Sequence, residues 1–147
     1  MKHLLFSLAV VLLGYSGTAQ NTNTMVESYI QVKDALVNGH SKAASTALAT
    51  FQQSVKSSGD FKGKEALLKA VEKMSNAANI ESQRAAFNDV SVNLWKVVEK
   101  AEKMDAPVYY QYCPMKNGYW LSKEKDIKNP YYGASMLTCG KVVETKL

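Results

Sequence analysis

Histidine, proline and cysteine are scarce in this chain: two, three and two residues of 147. The histidines are His3 and His40, so no pair of imidazoles is available for a zinc or catalytic centre outside the first few residues. There is no His-Glu-x-x-His, no Gly-x-Ser-x-Gly elbow, no phosphate-cradling glycine loop and no Cys-x-x-Cys. Those absences argue against an enzyme. No apolar run after Leu13 approaches the length that spans a bilayer. No polybasic tract is present either, because lysines alternate with acidic residues, as in Lys123-Glu124-Lys125-Asp126. Nucleic acid is therefore not an expected partner.

What is present begins with an export signal. Lys2 and His3 form a short basic start, Leu4–Leu13 an apolar stretch, and Gly17-Thr18-Ala19 a small-residue cleavage site. Residues 1–19 are read as a signal peptide and 20–147 as a single domain, periplasmic or secreted, with no membrane insertion after signal removal. Cleavage would leave about 128 residues, enough for one proper core. With Lys2 gone, 17 basic residues stand against 13 acidic ones, a mild excess.

Between 24 and 105 the pattern is helical. Asn21–Thr24 reads as a polar tail. Met25, Tyr29, Val32 and Leu36 then mark one helix face, ended at Asn38-Gly39. A second helix from near Ser41 presents Ala44, Leu48, Phe51 and Val55, and Ser57–Gly63 is a loop. A third, about Lys64–Ala78, carries Leu67, Val71 and Met74. The fourth, capped by Asn79, carries Ile80, Phe87, Val90, Leu94, Val97, Ala101 and Met104 up to Asp105-Ala106-Pro107. Four amphipathic helices with short links predict an up-and-down four-helix bundle.

Residues 106–147 differ. Six of the eight tyrosines fall between Tyr109 and Tyr132, with Trp120 among them. Val108–Tyr112 has strand-type residues, Lys116-Asn117-Gly118 a hairpin signal, Gly118–Leu121 a return strand and Lys141–Val143 a third. The expected fold class is mainly α, the bundle carrying a small irregular β C-terminal lobe.

Both cysteines lie in this lobe, each near a methionine: Cys113 with Met115, Cys139 with Met136. Two thiolates and two thioethers form a soft donor set that favours Cu(I) or Ag(I) over harder ions. Zn(II) suits it less, since methionine is a poor zinc ligand. His40 and Met104 join only if the fold brings them near; the aromatics wall the site or fill the lobe core. Two rivals stand beside a metal site. In an oxidising compartment the cysteines pair, closing a loop of roughly 26 residues worth on the order of 3 kcal/mol. The protein would then be a disulfide-pinned interaction module. The exposed aromatics would also suit a small-molecule or glycan binder.

The strings Tyr112-Cys113-Pro114-Met115, Gly118–Ser122, Ile127–Gly133 and Met136–Gly140 resemble a bacterial domain of unknown function. That family occurs as stand-alone exported proteins and fused to CusB-like adaptors of copper and silver efflux pumps. Arg84-x-x-Phe87-x-x-x-Ser91 is similar to the pattern of its final helix. The resemblance implies a heavy-metal-handling module that sequesters Cu(I) or Ag(I), or hands it to an efflux adaptor or pump. Many members carry histidine where this chain has Tyr112, and a longer insertion after the methionine, here only Lys116-Asn117.

Overall fold

The computed structural model describes residues 17–147, with side chains from Asn21 onward. The expected signal peptide, 1–19, lies outside the described residues except for its last three, which open the first helix. Four helices follow: α1 (Gly17–Val37), α2 (Ser41–Ser57), α3 (Lys64–Ser75) and α4 (Ile80–Val98). Three strands, β1 (Val108–Cys113), β2 (Gly118–Ser122) and β3 (Lys141–Lys146), form one antiparallel sheet in the order β2-β1-β3. A short 3-10 turn, Gly133–Met136, precedes β3. The mainly α architecture with a small β lobe is as the periodicities predict.

Each helix packs on the next, and α4 closes back on α1. Met25, Tyr29, Val32 and Leu36 are buried together with Leu48, Phe51, Val55, Leu67, Val71 and Met74. Asn79 caps α4: its side chain accepts from the Ser82 N–H, and the Ser82 hydroxyl reciprocates at the Asn79 N–H. This reciprocal pair satisfies two amides that the helix itself leaves open.

Three boundaries differ from expectation. Asn21–Thr24 is not a tail but part of α1, and Thr22 is buried. Without glycine or proline, each Asn or Thr costs a helix only about 0.5 kcal/mol relative to alanine, which tertiary burial overrides. Helix α3 stops at Ser75 rather than Ala78. Helix α4 stops at Val98, although Met104 is buried. The apolar spacing past Val98 records contact of an irregular segment with the core, not continued helix.

The sheet lies between α4 and a loop. Tyr110 on β1 stacks on Trp95 of α4 with ring centres 4.6 Å apart, and Tyr119 stacks on Tyr110 at 4.9 Å. On the opposite face, Gln111, Cys113 and Trp120 are fully buried beneath residues 123–140. The outer edge of β2 has no strand neighbour, yet its polar groups are satisfied by side chains. Asn88 accepts the Tyr119 N–H at 2.9 Å, Tyr29 accepts the Leu121 N–H at 3.1 Å, and the Tyr131 hydroxyl donates to the Tyr119 carbonyl.

Tyr29 is the hinge pin of this docking. Ser91 donates to the Phe87 carbonyl at 2.9 Å, which leaves its oxygen to accept the Tyr29 hydroxyl proton at 2.6 Å. A continuous relay thus runs from β2 through α1 into α4. Burial, only partly offset by the bonds to Ser91 and Leu121, pushes the Tyr29 phenol far up, so it stays protonated. Replacing Tyr29 by Phe removes this oxygen and leaves a buried N–H without a partner. The expected loss is about 1–3 kcal/mol in urea denaturation, and a change below about 0.3 kcal/mol would show the relay to be idle.

Candidate functional site

Cys113 ends β1 opposite Gly118, across the tight turn in which Asn117 takes a positive φ of 53°. Cys139 follows the 3-10 turn, its N–H bonded to the Met136 carbonyl at 3.1 Å. The lobe brings the two sulfurs to 3.3 Å, and both thiols are free. Cys113 exposes no surface, while Cys139 is half-buried.

Asn129 arranges the pair. It is fully buried, its Nδ2 donates to the Cys139 carbonyl at 2.7 Å, and its side chain helps to lower the Cys113 thiol. Its Oδ1 accepts the Tyr131 N–H at 2.8 Å. Its own N–H donates to the Leu137 carbonyl at 2.8 Å, and its carbonyl accepts the Gly133 N–H at 2.9 Å. Gly140 lets the chain pass Trp120, because a Cβ there would sit 2.7 Å from the indole. Trp120 is fully buried, edge-on to Tyr131 at 6.0 Å between ring centres, so it forms part of the lobe core.

The electrostatics of the two thiols diverge. Burial by itself would push the Cys113 thiol up. The Lys116 N–H, the Cys139 thiol, the Asn129 side chain and the Met115 N–H outweigh it and hold Cys113 below the ordinary thiol value. Cys139 moves the other way: its hydrogen bond to Cys113 raises it first, then burial and the neighbouring charge. The arrangement favours Cys113 as the first of the two thiols to ionise, with Cys139 as the hydrogen-bond donor to it once it has done so.

The methionines occupy different surroundings. Met115 is 66% exposed and Met136 half-buried. Met115 and Leu137, both exposed, each stand two residues from a cysteine in the chain. His40 is exposed at the start of α2, and Met104 is buried in the core. Among the described residues no three His, Cys, Asp or Glu side chains converge, so the two cysteines stand without a third strong donor of those types.

Asn129 and Arg84 escaped the reading of the sequence as site residues. Arg84 donates from Nε to the Pro130 carbonyl at 2.9 Å and from Nη2 to the Leu36 carbonyl at 2.7 Å. It thereby ties the end of α1 to the loop that carries Asn129. Gly133 completes the joint: its φ is +54°, and a Cβ there would meet the Val37 carbonyl at 2.6 Å and Arg84 at 2.7 Å. The sequence signals for this latch are the Asn129-Pro130 step followed by a glycine and the Arg84-x-x-Phe87-x-x-x-Ser91 pattern, neither of which says that the two meet. Arg84, Phe87 and Ser91 recur at helical spacing on α4, and all three serve contacts with the lobe or with Tyr29.

Residues 25–105 match the family described as Protein of unknown function (DUF3347). The chain belongs to this family. The matched span covers most of α1 and all of α2 to α4, Arg84, Phe87 and Ser91 among them, and stops before β1. The cysteine strings therefore lie outside it. No curated protein and no solved structure matches the chain.

The opposed shifts predict a two-step ionisation of the reduced protein. The first thiolate, Cys113, is expected to form at lower pH than an ordinary cysteine and the second at higher pH. Ultraviolet thiolate absorbance followed against pH reads both steps. In Cys139→Ala the upper step should vanish and the lower one move up; a single step at the ordinary value in the wild type would overturn the assignment.

Proposed function

We propose that this protein is an exported heavy-metal-binding module that takes up Cu(I) or Ag(I) at Cys113 and Cys139, with Met115 and Met136 as thioether ligands. The observation that supports the reading is the sulfur pair itself, at 3.3 Å. The surroundings lower the Cys113 thiol, and two soft donors this close suit a soft cation. Metal–thiolate bonds of about 2.3 Å place two sulfurs on one ion about 3.8 Å apart or more. The pair must open by roughly half an ångström, and the half-buried Cys139 has the freedom to do so. The exposed Met115 and Leu137, each two residues from a cysteine in the chain, would suit hand-off to an efflux adaptor or pump, and sequestration needs no partner.

A second reading draws on the same distance. Sulfurs at 3.3 Å need little movement to join, so an oxidising compartment would favour a disulfide that pins the lobe. The two states exclude each other at any moment, because a disulfide sulfur is no longer a thiolate.

Competition with a chromophoric Cu(I) chelator separates them. The reduced protein is expected to withdraw about one equivalent of Cu(I), with affinity falling as pH falls because protons compete for the sulfurs. Cys113→Ser and Cys139→Ser should each abolish that equivalent, and Met115→Leu should weaken it by about tenfold, ~1.4 kcal/mol. A reduced wild type that leaves the chelator fully loaded would leave only the pinned module.

A further inference from the structure

The two cysteines differ in one respect that metal binding does not use: only one of them can be reached. We propose that Cys113 and Cys139 form an exchangeable dithiol–disulfide couple in which Cys139 is the sole sulfur through which external thiols and disulfides react. Cys113 exposes no surface at the end of β1, whereas Cys139 sits half-buried after the 3-10 turn. The sulfurs are 3.3 Å apart, so transfer of a bond between them needs no rearrangement of the fold. An external thiol that reaches Cys139 therefore leaves Cys113 as the departing sulfur, because the buried partner is the one it cannot attack.

Exchange runs through a mixed disulfide. In the oxidised protein a small thiolate attacks Cys139 Sγ, forming a new S–S bond to it, while the bond to Cys113 breaks and Cys113 departs as thiolate. A second small thiolate then takes the first off Cys139. The protein gains two electrons and two thiols leave as one small disulfide. In the reverse sense Cys139 loses its proton to solvent, and its thiolate attacks one sulfur of a small disulfide while the other leaves as thiolate. Cys113 then displaces the second, and two small thiols balance the protein disulfide. A disulfide with one reachable sulfur is open to exchange rather than a permanent staple.

Brief alkylation of the native, reduced wild type with iodoacetamide, in the presence of a metal chelator, tests this by peptide mapping. Cys139 should be modified at least about tenfold faster than Cys113, and the difference should disappear after unfolding in guanidinium. Comparable or faster labelling of Cys113 in the folded protein overturns the proposal. As a second arm, folded Cys113→Ser incubated with glutathione disulfide should accumulate a stable adduct on Cys139, whereas Cys139→Ser should form none on Cys113. An adduct on Cys113, or none on Cys139, is equally fatal to it. Neither arm depends on copper, so a protein that fails to bind Cu(I) can still pass both.

Discussion

The lobe depends on one carboxamide. Asn129 is fully buried, and both ends of its side chain are engaged: Oδ1 by the Tyr131 N–H, Nδ2 by the Cys139 carbonyl, with the Cys113 sulfur alongside. A buried amide in a medium of low polarity is strongly stabilising when satisfied and expensive when it is not. Here it works beside the hydrophobic contacts of Trp120, Leu121 and Tyr131, which the lobe contributes to the core. The same side chain fixes where both cysteines sit, so stability of the lobe and geometry of the sulfur pair are a single property. Arg84 extends the constraint into the bundle by holding the Pro130 and Leu36 carbonyls together.

Much of this was legible in the residues. Apolar spacing placed all four helices, Asn79 announced the start of α4, and Asn117-Gly118 announced the hairpin. The boundaries that were misread share a cause: spacing reports which residues touch the core, not which backbone conformation brings them there. Thr22 is inside α1 despite a polar neighbourhood, and Met104 is in the core without being in a helix. The proximity of Cys113 and Cys139, about 26 residues apart, followed from no local pattern. It depends on Asn129, whose contacts are almost all with backbone atoms, and such contacts leave no composition signature. Family membership rests on the helical residues 25–105, whereas the resemblance seen in the sequence rested chiefly on the lobe.

The chemistry at the pair is asymmetric by construction. The neighbouring amides, Asn129 and the second thiol lower the Cys113 thiol, while Cys139 is raised and keeps its proton longer. A soft cation and an incoming thiol would meet the same two atoms but make different demands. The cation needs both sulfurs as thiolates and a slight opening, while exchange needs only the outer one exposed. Were a soft cation to bind, loading and oxidation would compete for the same pair of sulfurs.

The sheet has two margins, and they are treated differently. The β2 margin is sealed by Asn88, Tyr29 and Tyr131. The β3 margin faces solvent, carries exposed Lys141 and Glu144, and is broken by a bulge where Tyr110 and Gln111 pair with Glu144 and Val142. An irregular, charged rim is a poor template for a further strand. This tyrosine-rich sheet is thereby discouraged from growing into fibrils when the protein is concentrated, even though its neighbouring Val143 and Leu147 are exposed.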